Sequence, residues 1–197
     1  MNLTRIRTGC RHLSVPYRRA VPLTLTRKPP SRRKRARSAE NDPRRLLEPP
    51  PSPQARGLLA AKAGFGPYSK HKRHPHLYNL KPYEGEDEDP TYCDEHADFG
   101  PGDIPRALPL LKRGIAAGLF GKGTKKGDPS LLWTVDDNGW IYEAQITNPG
   151  YGMYHAYPVL PNEAIAGKVL MRYATYVTEQ NDPVLDLSLV AARKRYQ

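Results

Sequence analysis

The sequence is poor in cysteine and has no long apolar segment. Its two cysteines, Cys10 and Cys93, stand in stretches of very different composition. This argues against a disulfide framework and predicts either a reducing compartment or a free thiol. No apolar run approaches the roughly 20 residues that a transmembrane helix needs, so we expect no membrane partner. The stretch "VPLTLT" is too short and too polar to be the core of a secretory signal.

Acidic residues are absent from the first 39 positions, which hold 12 lysines and arginines. Residues 1–75 hold 19 basic residues against three acids, whereas the remainder holds 12 against 17. The formal net charge of +11 therefore belongs to the N-terminal part. Because residues 1–75 show no helical or strand periodicity and are rich in proline and arginine, they predict a disordered basic tail. Its "RRKRAR" run fits a solvated linker, a polyanion-binding segment or an address signal.

Three common catalytic or cofactor-binding patterns are also missing. The loop "GKGTKKGDPS" lacks the Walker A spacing and does not follow a strand, and it is no dinucleotide fingerprint. Asp136 and Asp137 belong to a turn signal and Glu143 has no evident partner, so no carboxylate pair for glycoside hydrolysis is indicated. These observations exclude the P-loop and dinucleotide-binding classes of protein. They also argue against a glycosidase, because no pair of catalytic carboxylates is indicated.

The pattern of residues 76–190 predicts one compact α+β domain, followed by a basic C-terminal end at 191–197. A first helix is predicted from Asp103 as N-cap to Gly121, with leucines and isoleucine at helical spacing between. An antiparallel sheet of three or four strands follows. Its predicted strands are "LLWTV", "WIYEAQIT" after the turn "DDNG", and "YHAYPVL".

The end of the domain is less clearly patterned. "NEAIAGKVLMRYATYV" is compatible either with one long helix or with a short helix that runs into a strand, because its start favours a helix and its β-branched and aromatic end favours a strand. The last stretch, "NDPVLDLSLVAARKRYQ", predicts a short helix with a basic end that suits the C-terminal helix dipole.

One spacing upstream of the first helix has the general plan of a zinc site. Two residues separate His71 from His74, and two separate Cys93 from His96. Two such pairs joined by a loop can each supply one side of a tetrahedral ion, so a structural zinc ion held by these four residues is one hypothesis. The alternative is that the two histidines belong to the basic tail and that "CDEH" is a turn with a buried cysteine.

A second group of residues suggests chemistry without a cofactor. If "YHAYPV" is a strand, His155 and Tyr157 point to the same face. Lys112 and Arg113 on the first helix and Arg172 near the end add cations. Metal-independent RNA cleavage through a 2′,3′-cyclic phosphate needs a base, an acid and a cation at the phosphorane, and these residue types can supply them. The alternative is a structural histidine among tyrosines.

A helix that carries Lys112 and Arg113, a meander with the lone His155 and a late Arg172, all after a variable Arg/Pro-rich region, resembles a group of bacterial toxins. The group comprises the C-terminal toxin domains of polymorphic and contact-dependent systems, especially the barnase, EndoU, colicin and RelE-like ribonucleases. The resemblance covers roughly residues 76–190 and is one of architecture. It implies an effector that cleaves tRNA or another structured RNA and an immunity protein as partner. It also implies acid/base work by His155 and phosphate stabilisation by Arg172, with Lys112 or Arg113 in support.

Two other classes of protein stay open on the sequence. One is a non-enzymatic nucleic-acid- or ribosome-associated protein whose basic tail binds phosphates. The other is an assembly subunit imported into an organelle, whose tail is removed. An RNA-cleaving effector is expected in the cytoplasm or delivered into a target cell, whereas the other classes point to an organelle matrix or the nucleus. The sequence does not indicate an oligomeric state.

Overall fold

The computed structural model describes residues 45–85, 91–124 and 127–197. Residues 1–44 of the predicted tail, with its "RRKRAR" run and Cys10, lie outside the described residues. The α-helices and strands are, in chain order, α1 Pro53–Lys62, β1 Gly64–Phe65, α2 Cys93–His96, α3 Ile104–Ala116, β2 Leu131–Val135, β3 Ile141–Asn148, β4 Met153–Pro158, α4 Ile165–Gln180 and α5 Pro183–Tyr196. Among these residues, no helix combines the length and the apolar character that crossing a bilayer requires.

The strands form one four-stranded sheet in the order β1-β4-β3-β2. The pairs β2/β3 and β3/β4 are antiparallel, as the alternating sequence and the "DDNG" turn predict. Strand β1 is parallel to β4, so the sheet is mixed rather than purely antiparallel. The predicted α+β class, with a helix ahead of a small sheet, is confirmed.

The packed domain extends beyond the predicted boundaries at both ends. Helix α1 and strand β1 fall within the stretch assigned to the tail, and β1 completes the sheet beside β4. A strand of two residues is too short to show a period, which is why the pattern of the sequence missed it. Helix α5 continues past residue 190, where the domain was predicted to end. Most of the basic C-terminal end predicted for residues 191–197 is therefore the last part of this helix.

The sheet is covered on both faces, and successive residues of each strand alternate between them. Helix α3 packs on the face that bears Leu132, Ala144 and Tyr154. Helices α4 and α5 pack on the opposite face, through a core that includes Trp133, Val135, Ile141, Val159, Val169, Tyr173 and Leu189. His155 and Tyr157 alternate with Tyr154 along β4, so they lie on the α4/α5 side of the sheet.

The ambiguous stretch after β4 is one long helix. Its buried residues, which include Ile165, Val169, Tyr173 and Val177, recur every four positions and form one apolar face. Asn181 ends the helix in the left-handed conformation, with φ of 50°. Asp182 then caps α5, because its carboxylate accepts a hydrogen bond from the backbone N–H of Val184 at 2.8 Å.

Gly114 lets α3 lie directly against β2. A Cβ atom at this position would stand 2.1 Å from the carbonyl oxygen of Trp133, which is backbone and cannot move aside cheaply. We expect Gly114→Ala to lower the free energy of unfolding by about 2 kcal/mol, the usual size of overpacking in a core. Urea unfolding followed by tryptophan fluorescence measures this loss.

Gly167 is the matched control, because it also lies inside a helix but a Cβ atom there would have no neighbouring atom within 4 Å. Gly167→Ala is expected to raise stability by up to about 1 kcal/mol through helix propensity. If both substitutions change the free energy of unfolding equally, the close contact between α3 and β2 is not the reason for glycine at position 114.

Candidate functional site

His155 lies in the middle of β4 and shares a face of the sheet with Tyr157. Its register partner on β3 is Gln145, which is exposed. Its Nδ1 atom is 2.8 Å from the hydroxyl oxygen of Thr147, which is also exposed. The side chain of His155 itself is buried at 7% exposure. The histidine therefore stands at the border between the packed interior and an open end of the sheet.

The segment between β1 and α2 brings a second histidine onto the same face. The ring of His71 is nearly parallel to that of His155, at an angle of 14° and a centroid distance of 5.4 Å. It also stacks on Tyr157 at 4.4 Å and 25°. Tyr68 closes the group from outside, with its ring 4.8 Å from that of His155 and 37% of its surface exposed. We call Tyr68, His71, His155 and Tyr157 the imidazole cluster.

Both histidines of the cluster are held in the neutral form at neutral pH. Burial, with the charges of Lys70 and Lys72, lowers the pKa of His155 to about 4. Burial, together with the charges of His155, Lys70 and Lys72, lowers the pKa of His71 to about 3. The Nδ1 atom of His71 is 3.3 Å from the carbonyl oxygen of Thr91, which as an acceptor fixes the proton of the neutral ring on Nδ1. The Nε2 atom of His71 is then the proton acceptor.

Tyr157 is anchored by a buried ionic network. Its hydroxyl donates a short hydrogen bond to Glu143, and burial together with that carboxylate raises its pKa well above the ordinary value. Glu143 also accepts from Trp133 Nε1 at 3.0 Å and from Arg45 Nε at 2.7 Å. Arg45 in turn bonds Glu163. The phenol is therefore a fixed, protonated group beside the two imidazoles.

The two lysines near the cluster have different surroundings. Lys72 is 4% exposed, and its ammonium lies over the ring of Tyr78 at 4.9 Å. Lys70 is only half-buried and lies over the ring of Tyr83 at 5.6 Å. Of the two, Lys70 is the lysine whose side chain solvent can reach.

Arg172 does not join the cluster. Its Nη1 atom donates to the carbonyl oxygens of Glu48 at 2.6 Å and Gly118 at 3.1 Å. The side chain of Arg56 binds the neighbouring carbonyl of Ala116. The two arginines thus satisfy carbonyl groups at the C-terminal end of α3 and fasten the incoming chain there. The prediction that Arg172 stabilises a phosphate beside His155 is not supported by this placement.

Lys112 and Arg113 are also placed apart from His155. Lys112 is exposed on α3, whose buried side packs on the sheet face opposite the cluster. Arg113 donates to the carbonyl oxygen of Val135 at 3.0 Å and to Asp137 at 2.8 Å, at the far end of β2. Of the five predicted catalytic residues, the structure brings together His155 and Tyr157.

The four predicted zinc ligands are not gathered either. His71 belongs to the cluster, while His74 is exposed and its ring lies 6.0 Å from that of His76. Cys93 is buried and its thiol donates to the carbonyl oxygen of Ala156 at 3.4 Å; burial raises its pKa. The Nδ1 atom of His96 is 3.1 Å from the backbone nitrogen of Tyr92. The described residues contain no group of three or more side chains that could hold a metal ion.

The contact of His71 with His155 and Tyr157 could not be recognised from its neighbours in sequence, because they are mostly basic. "YSKHK" carries a tyrosine, two lysines and a histidine close together, and this mixture at the end of a basic stretch is the available signal. Its contact with β4 depends on the fold, since β1 must first bring the segment to the edge of the sheet.

Comparisons with known proteins add no family to this description. Neither the protein-family models, nor the curated protein sequences, nor the solved structures contain a match to the chain. The cluster itself is therefore the basis for assigning a function.

Proposed function

We propose that the chain is a metal-independent endoribonuclease that cleaves RNA at the imidazole cluster. The observation that carries the proposal is the stacked pair of His71 and His155, 5.4 Å apart at the open end of a sheet face. Two imidazoles at this separation can serve one phosphodiester, one ring as the base and the other as the acid. This pairing replaces the lone histidine of the sequence-based hypothesis.

The two histidines of the cluster and the nearby Lys70 have distinct roles in this reaction. The Nε2 atom of His71 accepts the proton of the ribose 2′-hydroxyl, which attacks the adjacent phosphorus. His155, once protonated, donates a proton to the departing 5′-oxygen, so a 2′,3′-cyclic phosphate and a 5′-hydroxyl are formed. Lys70 supplies a positive charge for the phosphorane oxygens. Because a bound phosphate offsets the repulsion from Lys70 and Lys72, substrate binding favours the one protonated imidazole that the reaction needs.

The exposed ring of Tyr68 fits an unpaired base. Aromatic side chains stack on nucleobases without regard to sequence, and single-stranded loops are the parts of structured RNA that offer such bases. The proposed substrate is therefore a tRNA or another structured RNA cut in a loop. The basic N-terminal residues add non-specific attraction for phosphates. An effector with an immunity partner, as in the toxins that the sequence resembles, is part of this proposal.

RNA cleavage by the purified full chain in the presence of EDTA tests the proposal. We expect His155→Ala and His71→Ala each to reduce the cleavage rate by about a hundredfold or more, which is the contribution of a positioned acid or base. His76→Ala is the control with unchanged cleavage, because His76 is exposed outside the cluster. Circular dichroism checks that each variant is folded, and the 2′,3′-cyclic phosphate of the product is detected by mass spectrometry.

The same samples distinguish the alternative class. Binding of RNA without cleavage, with a salt dependence that falls when residues 1–44 are deleted, would favour a nucleic-acid-binding protein. Cleavage that survives His155→Ala and His71→Ala would exclude the cluster as the catalytic site.

A further inference from the structure

Helix α5 is apolar on both of its sides near the N-terminal end. Its inner side packs on the core through Leu185, Leu189 and Ala192. Its outer side carries Val184, Leu187 and Val190, which are 55%, 70% and 62% exposed. A helix that is hydrophobic all round is normally buried on both sides. The outer stripe, defined by these three valine and leucine residues, is therefore a surface that favours a partner.

The charges beside the outer stripe indicate what that partner is. Asp186 and Arg193 stand at i and i+7, so they lie on the same edge of α5, one near each end. Both are exposed, and neither forms an ion pair with any residue in the part of the chain that the structure describes. This edge of α5 is acidic near the N-terminal end and basic near the C-terminal end. Its charges are therefore complementary to those of the same edge on a second, antiparallel α5.

We propose that the outer stripe binds a second copy of this chain, as an antiparallel pair of α5 helices related by a two-fold axis. In this arrangement Leu187 packs against Val190 of the second copy. The two-fold axis places the charged edge of one α5 beside the same edge of the other α5, with the two helices running in opposite directions. Asp186 therefore faces Arg193 of the second copy, and the symmetry repeats this contact. In a parallel two-fold pair, the edge that bears Asp186 and Arg193 would face the other edge of the second helix, so these opposite charges would not meet.

The expected dimer is weak. A helix of 14 residues is about 21 Å long at about 1.5 Å per residue. One pair of such helices buries less than the roughly 800 Å² per partner of a standard stable interface. We therefore expect dissociation in the micromolar range, with monomer and dimer both observable in one concentration series.

Sedimentation equilibrium of the full chain, from low micromolar to near-millimolar concentration, tests the apolar part of the interface. The wild type is expected to approach twice the monomer mass, and Leu187→Glu to stay monomeric throughout. Met171→Glu is the matched control, because Met171 on α4 is equally exposed at 71% but lies outside the stripe. A wild type that stays monomeric, or equal weakening by both substitutions, overturns the proposal.

Charge reversal tests the antiparallel geometry. Asp186→Arg is expected to weaken the dimer at least tenfold, because it places two positive side chains together on each side of the axis. Arg193→Asp is expected to do the same with negative charges. The double variant restores the opposite charges at both contacts and recovers the wild-type affinity. A double variant that is weaker than either single variant excludes the antiparallel pair.

Discussion

Arg45→Met is expected to remove about 3–5 kcal/mol from the free energy of unfolding, the usual cost of breaking a buried ion pair by deleting one partner. The side chain of Arg45 is 11% exposed and bridges Glu143 and Glu163, whose side chains are 3% and 15% exposed. Burial alone would lower the pKa of Arg45, but the two carboxylates raise it above its ordinary value. Without the guanidinium, two neighbouring carboxylates are left in a poorly solvated site. Urea unfolding monitored by circular dichroism measures the loss.

Two further variants identify the cause of this loss. Arg106→Met breaks ion pairs with Asp103 and Asp137 at the surface, where Arg106 is 41% exposed, and is expected to cost less than about 1 kcal/mol. Adding Glu143→Gln to Arg45→Met is expected to recover part of the stability, because glutamine has no charge, its carbonyl oxygen accepts from Trp133 Nε1, and its amide group can donate to the hydroxyl of Tyr157, which turns to accept. Additive losses in the double variant would mean that packing of the arginine stem, not charge, is what matters at residue 45.

The network of Arg45 also shows where sequence reasoning reaches its limit in this chain. Strands β2 to β4 and helix α3 could be predicted, because alternation, the "DDNG" turn and leucine spacing are local signals. The shared face of His155 and Tyr157 follows from the same alternation. Contacts of Arg45 with Glu143 and Glu163 join residues 98 and 118 positions apart. No local pattern marks such a pair.

The errors about the site have the same physical origin. The neighbours of His71 in sequence are charged, whereas its environment in the fold is set by stacking on Tyr157 and His155. Residue type alone suggested Arg172 for the site. The sequence did not decide whether Arg172 lies on a strand or on a helix, so its position relative to His155 could not be predicted. In the structure Arg172 lies on α4, and its side chain bonds the carbonyl oxygen of Gly118 at the end of α3. Residue chemistry could be read from the sequence, but the partners of each residue could not.

Acid is expected to destabilise the protein through the two histidines of the cluster. Both have folded-state pKa values, about 3 for His71 and about 4 for His155, below the unfolded value of about 6.5. Between the folded and unfolded pKa values, the unfolded chain therefore binds more protons than the folded chain. The stabilisation that the neutral rings provide is complete above about pH 6.5, and it is lost as the pH falls towards the folded pKa values of about 4 and about 3. The loss between about pH 7 and about pH 4.5 is on the order of 2 to 3 kcal/mol for each ring.

Urea unfolding at several pH values, in wild type and in the double variant His71→Gln/His155→Gln, isolates this contribution. Carboxylates titrate in the same range and are common to both proteins, so the difference between the two stability curves belongs to the imidazoles. We expect the double variant to lose much less stability on acidification, whereas His76→Gln, an exposed site, keeps the wild-type slope. In NMR spectra, the Hε1 signals of His71 and His155 should titrate below pH 5, because burial and then the charges of Lys70 and Lys72 lower the pKa of both rings. Identical slopes for wild type and the double variant would mean that the rings are solvated in the native state, and the stacked pair would then lose its physical basis.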